Sequence, residues 1–315
     1  MLLNEKDWQN TFNRIFQGKV EFNVPMKEHT GLAIGGPADA LVTPEDPLSV
    51  RNLVKVFKKE GIPFSTLGWG TNILVGDNGI EGVVISLRAF DRIELLEEDN
   101  GRAELFVEAG VPLQKLVNFC RDKGYAGIEG LTGIPGTVGG AIFGNAGSFG
   151  YEMKDALVSL AIMDAEGVLE RFKAEGMGFE YRRSDILPTD IVLSANMMLK
   201  IDDKDAVSSR TDNFFAEKKR TQPVSEKSAG CVFKNPEGQS AGRLIDEAGC
   251  KGMKSGGVEV SPAHANFFVN IGGGTAGDYL NLMEKVAAEV NTKFGVVLEP
   301  EIRFVGREQP GIWKS

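Results

Sequence analysis

Histidine is nearly absent from this chain, whose 315 residues hold only His29 and His264. Metal centres and Ser-His-Asp chemistry lean on imidazole, so neither is expected and no metal site is assigned. Cysteine is equally sparse: Cys120, Cys231 and Cys250 are odd in number and far apart. Such thiols form neither a disulfide framework nor a paired zinc motif, and they suit a reducing compartment. No apolar run reaches the roughly 18 residues that a membrane span needs. The run Met1-Leu2-Leu3-Asn4-Glu5-Lys6-Asp7 lacks the basic-then-apolar order of a signal peptide, so a cytoplasmic location is expected. Net charge is −9, from 44 acidic against 35 basic side chains, which argues against nucleic acid or an anionic membrane as partner. Small anionic molecules remain possible ligands, and no obligate protein partner is implied.

Glycine is in excess: 39 residues, where an average chain of this length holds about 22. Nine of them fall between Gly127 and Gly150. That density excludes a long regular helix or strand, because each glycine costs ~0.5–1 kcal/mol there relative to alanine. It allows positive φ and lets a ligand approach backbone N–H groups, as anion-binding nests require. Smaller clusters occur at Gly35-Gly36 and at Gly68-Trp69-Gly70-Thr71-Asn72. Neither a P-loop nor a strand-linked GxGxxG is present, so the pattern favours a glycine-lined site for an extended nucleotide.

Helices are predicted from Pro47 to Gly61 with Asp46 as cap, from Pro112 to Gly124, and from Thr275 to Gly295 with Asp278 closing a capping box. A charged helix is expected between Asp202 and Pro223. Strands are expected at Val83–Leu87, Leu105–Val107, Ile191–Leu193, Phe267–Ile271 and Val296–Val305. Irregular alternation of the two types predicts an α+β class rather than a βαβ series.

Seven segments in register carry a resemblance. They are Gly-Ile-Pro-Gly-Thr-Val-Gly-Gly-Ala (133–141), Asn-Ala-Gly (145–147), Tyr-Arg-Arg-Ser (181–184), Val-Phe-Lys-Asn-Pro (232–236), Ser-Ala-Gly-Arg-Leu-Ile (240–245), His-Ala-Asn-Phe (264–267) and Leu-Glu-Pro-Glu-Ile-Arg (298–303). Together they closely resemble the UDP-N-acetylenolpyruvoylglucosamine reductases, flavoenzymes of peptidoglycan precursor synthesis, in their shorter type II branch. The resemblance implies a vanillyl-alcohol-oxidase/PCMH-type FAD-binding region of two α+β subdomains, 1–86 and 87–201, then an α+β substrate-binding domain, 202–298. The segment 299–315 is expected to return to the first subdomain. Non-covalent FAD is the implied cofactor, with NADPH and UDP-N-acetylglucosamine enolpyruvate as small-molecule substrates. Cofactor-binding positions implied are Gly35, Gly36, Gly68, Trp69, Gly70, Thr71 and Asn72 upstream. In the dense segment they are Ile134, Pro135, Gly136, Thr137, Gly139, Gly140, Ala141, Asn145 and Gly147. Trp69 stands where the family usually has glycine.

The implied reaction adds hydride to an enolpyruvyl methylene carbon, leaving negative charge on the adjacent carbon and its carboxylate. Such a site needs a fixed cation, hydrogen-bond donors and one acid. Arg182 matches the family's catalytic arginine, and its planar fork suits a carboxylate. Glu301 matches the glutamate of the last strand; strand alternation would put Glu299 on the same face, and only the family position separates them. Cys231 stands where the family usually has serine. An unperturbed thiol, pKa ~8.5, is a stronger acid than a hydroxyl and is mostly protonated at neutral pH. Tyr181, Lys234, Asn235, Lys251 and Glu259 are the implied substrate contacts, Glu259 replacing a frequent glutamine; His264 and Asn266 read equally well as hydrogen-bonded core. Another flavin oxidase of the same superfold, or a non-catalytic nucleotide-sugar or flavin-binding module, are the alternatives. The motifs after residue 228, and the presence of all three catalytic positions, count against both.

Overall fold

The structure, a computed structural model, describes residues 5–307 and 310–311. Residues 1–4, the start of the run read against a signal peptide, and residues 308–309 and 312–315 of the C-terminal segment lie outside the described residues. The chain divides into two compact units. One comprises residues 1–22, 40–69 and 82–217; the other comprises 23–39, 70–81 and 218–315.

The first unit is built on an antiparallel sheet in the order Leu169–Lys173, Leu157–Met163, Ile191–Ile201, Arg102–Glu108, Ile93–Asp99, with the short strand Tyr125–Ala126 also on the central strand. Alternation places Ala103, Leu105 and Val107 inward, and helix Leu113–Lys123 covers them with Leu113, Leu116, Val117 and Cys120. Burial pushes the Cys120 thiol well up, with Glu129 adding to it, so this cysteine is an inert core residue. Helix Pro47–Glu60 starts as its sequence predicts. Asp46 accepts from the Ser49 N–H at 2.8 Å and from its hydroxyl at 2.7 Å, Pro47 opens the first turn, and Gly61 ends it at φ 63°.

The second unit holds an antiparallel sheet, Ser228–Cys231, Phe267–Asn270, Val258–Val260, Lys254–Ser255, against helix Ala276–Phe294. The Thr275–Asp278 capping box forms as expected, and Asp77 adds two further bonds to the Ala276 and Gly277 N–H groups at 2.8 and 3.0 Å. Tyr279, Leu282, Met283 and Val286 fill the core beneath the sheet. A parallel pair, Ile73–Val75 with Arg303–Val305, completes it. The α+β class holds. Of the continuous strand expected over Val296–Val305, however, only Arg303–Val305 is strand. Pro300 has no N–H for a ladder, and residues 299–301 instead flank the segment after Cys231: Lys234 N–H donates to Glu299 O and Glu301 N–H to Val232 O, both at 2.8 Å. Among the described residues, no helix is long and apolar enough to cross a membrane.

Asp46→Ala should cost about 1 kcal/mol by stranding the first-turn N–H. Urea unfolding checks this as a lowered midpoint with an unchanged slope.

Candidate active site

In the second unit a single buried amide organises the site. Asn266 is 2% exposed; its Oδ1 accepts from Phe233 N–H at 3.0 Å and its Nδ2 donates to Phe233 O at 2.7 Å. Its own carbonyl accepts from Val232 N–H at 2.8 Å. A side chain thereby replaces a strand partner and holds Cys231-Val232-Phe233-Lys234 straight on one side. On the other side Glu301 N–H meets Val232 O, so the half-buried thiol and the half-buried carboxylate are carried on directly bonded backbones. Glu299 and Glu301, inseparable by alternation, are thus separated: Glu299 is exposed and accepts a short ion-pair bond from Lys234, while Glu301 stays half-buried. Asn72 reaches the same place, with Nδ2 3.4 Å from Glu301 O and its carbonyl accepting from Arg303 N–H at 3.1 Å. Thr71 lies one residue before it, against Gly31, and Gly31 in turn packs on Ser228 O. Tyr279 is fully buried below this sheet against Phe268; burial, with Cys231 adding to it, raises its phenol far above the usual range.

The first unit holds Arg182 and most of the glycine segment. Bonds from Leu113 N–H to Gly136 O and from Val138 N–H to Val111 O flank Thr137, whose own N–H that ladder does not use. Thr137 caps the short helix Val138–Phe143. Gly139 has to be glycine because a Cβ would lie 2.8 Å from that of Ala109, whereas Gly140 is exposed and opens onto solvent. Gly68 presses against Thr137, with Trp69 42% exposed beside it and Pro135 exposed nearby. Ile134 and Gly136 are half-buried, and Ala141 is buried behind them. An exposed glycine backbone at a capped helix start fits the diphosphate of FAD.

Arg182 sits at the second corner of a two-residue hairpin. Glu180 and Arg183 exchange backbone bonds at 3.0 and 3.2 Å, and Arg182 has φ 55°. A left-handed non-glycine residue costs roughly 1–2 kcal/mol, so this turn needs outside support. The guanidinium lies 5.4 Å from the Tyr181 ring centre, and Nη1 lies near Gly147. Burial opposes charge on Glu152, but hydrogen bonds from Lys154 and Asn145, with the fields of Lys154 and Arg182, hold its carboxyl below the usual range.

Other expected residues have more local occupations. Gly35 and Gly36 pack against Val75 and Asp77, and a Cβ at Gly70 would strike His29 O at 2.2 Å. Asn235 accepts from Ala241 N–H at 3.0 Å at the start of helix Ala241–Glu247. Lys251 pairs with Asp246 at 2.6 Å and Glu259 with Lys254 at 3.5 Å. Tyr181 is exposed. Sequence reasoning passed over Gln114, whose Oε1 accepts from Gly133 N–H at 2.7 Å, and Glu152. Neither lies in a recognisable pattern; each matters only through what the fold brings beside it. Among the described residues, no cluster of His, Cys, Asp or Glu could hold a metal ion.

Comparisons with known proteins identify the family. Residues 38–173 match the model of an FAD binding domain, the mark of a flavin-binding protein. Residues 222–305 match the C-terminal domain of UDP-N-acetylenolpyruvoylglucosamine reductase. The chain is 38% identical over 291 residues to the enzyme of that name from Syntrophus aciditrophicus, covering 92% of this chain and 93% of the relative. It is 40% identical over 311 residues to that of Desulfosudis oleivorans, covering 96% and 98%. The crystal structure of the reductase from Thermus caldophilus superposes with a TM-score of 0.79 at 37% identity, covering 91% of this chain and 99% of that one. The chain belongs to the UDP-N-acetylenolpyruvoylglucosamine reductase family, enzymes of peptidoglycan synthesis, and FAD is its cofactor.

Asn266→Ala should lower stability by about 1–3 kcal/mol for each Phe233 backbone group it strands, read as a reduced melting temperature. The same corner predicts acid sensitivity. His264 Nδ1 accepts from Asn266 N–H at 3.2 Å, and burial, then Lys251, outweigh a backbone bond to hold its pKa below the ordinary 6.5. Below that value the unfolded chain binds a proton that the native ring refuses. Stability should therefore fall as pH drops from about 6.5 toward the native pKa, and a His264→Gln variant should lose that slope in unfolding measured against pH.

Proposed function

We propose that this enzyme uses NADPH to reduce the enolpyruvyl group of UDP-N-acetylglucosamine enolpyruvate, giving UDP-N-acetylmuramate. The observation that supports the reading is the bond between Glu301 N–H and Val232 O, which joins the backbone of the glutamate to that of the residue after Cys231. Bound FAD, held without a covalent link, supplies the hydride that NADPH donates.

Hydride arrival at the methylene carbon moves the double-bond electrons onto the adjacent carbon and its carboxylate. The Cys231 thiol delivers its proton to that carbon, and solvent returns a proton to the thiolate. Arg182 carries the fixed positive charge that the carboxylate needs as charge builds there. Glu301 polarises the carboxylate or assists proton delivery. Lys234, Lys251 and Asn235, with Tyr181 and Glu259, bind the UDP-sugar. The ion pair of Lys234 with Glu299 keeps that lysine oriented until a diphosphate competes for it. In this reading residues 202–298 form the substrate-binding domain, and 1–86 with 299–315, and 87–201, form the two FAD subdomains.

NADPH consumption by the flavin-loaded enzyme should require UDP-N-acetylglucosamine enolpyruvate and yield one product molecule per NADPH. Equal consumption without that substrate would overturn the assignment. Cys231→Ser should stay within about tenfold of wild type, since a hydroxyl can fill the same proton-donor place, and steady-state rates check this.

A further inference from the structure

We propose that Asn145 is a positioning residue for Arg182, fixing the hairpin that aims the guanidinium rather than contacting the flavin through its side chain. The inference rests on the catalytic reading of Arg182. Asn145 is completely buried, and its side-chain amide bonds three partners. Its Nδ2 donates to Glu180 O at 2.8 Å and to Glu152 Oε2 at 3.2 Å, while its Oδ1 accepts from Lys154 N–H at 3.1 Å. Glu180 O is the carbonyl that also accepts from Arg183 N–H to close the hairpin. The amide therefore grips Glu180, the residue just before the two-residue turn whose second corner is Arg182.

Three further facts favour a purpose beyond filling space. Asn145 itself holds a left-handed φ of 41°, which asparagine tolerates better than most residues but glycine tolerates best. If backbone conformation were the only demand, glycine would serve. Glu152, the second acceptor, lies within the field of Arg182, so one amide binds both the turn and the carboxylate beside the guanidinium. Gly147, two residues on, lies against the guanidinium itself, where a Cβ would come 3.3 Å from Nη1. The segment 145–147 thus supports Arg182 from behind. The glycine segment then divides: Gly140 stays open at a helix start, and residues 145–147 lie toward the arginine and its hairpin.

The test is Asn145→Gly, which keeps the backbone conformation and removes only the amide. The purified variant should melt somewhat lower, because Lys154 N–H loses its acceptor, but it should retain its flavin content, and NADPH should reduce its flavin within about twofold of the wild-type rate. Its enolpyruvyl reduction should fall roughly tenfold to a hundredfold in kcat with little change in KM, because an aligned charge has been lost and not a binding contact. Hydrogen exchange at the Arg183 amide, whose acceptor is Glu180 O, should accelerate severalfold in the variant. Wild-type kcat, or a parallel loss of flavin and of both half-reactions, would overturn the proposal. Arg182→Lys serves as the reference. If it is slow while Asn145→Gly is not, positioning by Asn145 is wrong and the role of Arg182 stands. If Arg182→Lys runs at the wild-type rate, the reading of Arg182 fails and the inference falls with it.

Discussion

The structure depends on one constraint: a backbone that leaves helix and sheet must still have its buried polar groups bonded. Every residue assigned to the chemistry stands on such backbone. Cys231 ends a short strand and Glu301 follows a proline, while Arg182 occupies a left-handed turn. Buried side-chain amides meet the need. Asn266 binds both polar groups of Phe233 beside Cys231, and Asn145 binds the carbonyl that opens the arginine hairpin. An amide offers donor and acceptor on separate atoms of one rigid plane, whereas a hydroxyl carries both on a single atom and a carboxylate at neutral pH only accepts. Irregular segments are thereby held nearly as firmly as strands, and reactive groups can project from them.

This arrangement accounts for much of the composition. In the proposed mechanism hydride comes from a flavin and one thiol supplies the proton, so that mechanism calls on neither metal-activated water nor a histidine base. Glycine is abundant for two reasons that its count alone does not separate. At Gly36, Gly70 and Gly139 neighbouring atoms leave no room for a Cβ, whereas Gly140 is open and suits close approach of a ligand. The first kind shapes the loop and the second exposes it.

Local signals made the helices legible. Asp46 with Pro47, the Thr275–Asp278 box and the terminal glycines 61, 124 and 295 act within a few residues of themselves, and all were readable. The strand expected over Val296–Val305 was not: Pro300 interrupts the ladder, and only Arg303–Val305 is strand. Helices Glu5–Ile15 and Ala241–Glu247 also passed unread, the second because it has only two turns. In the site, resemblance singled out Cys231, Arg182 and Glu301, and the fold supplied what no motif carries. Glu301 parted from Glu299 through long-range bonds to residues 232 and 234. Asn145 read as a cofactor residue because it lies in the glycine segment; its partners, Glu152, Lys154 and Glu180, come close only once the chain is folded.

In the proposed mechanism labour is divided: the thiol serves the substrate's reduction and not the loading of the flavin. Rapid mixing measures the two halves separately in a Cys231→Ala enzyme carrying FAD. Bleaching of the oxidised flavin by NADPH should proceed at the wild-type rate. Return of that absorbance when the reduced enzyme meets UDP-N-acetylglucosamine enolpyruvate without oxygen should slow by roughly 100-fold or more. Return at the wild-type rate would contradict the account, because the proton would then be coming from another group.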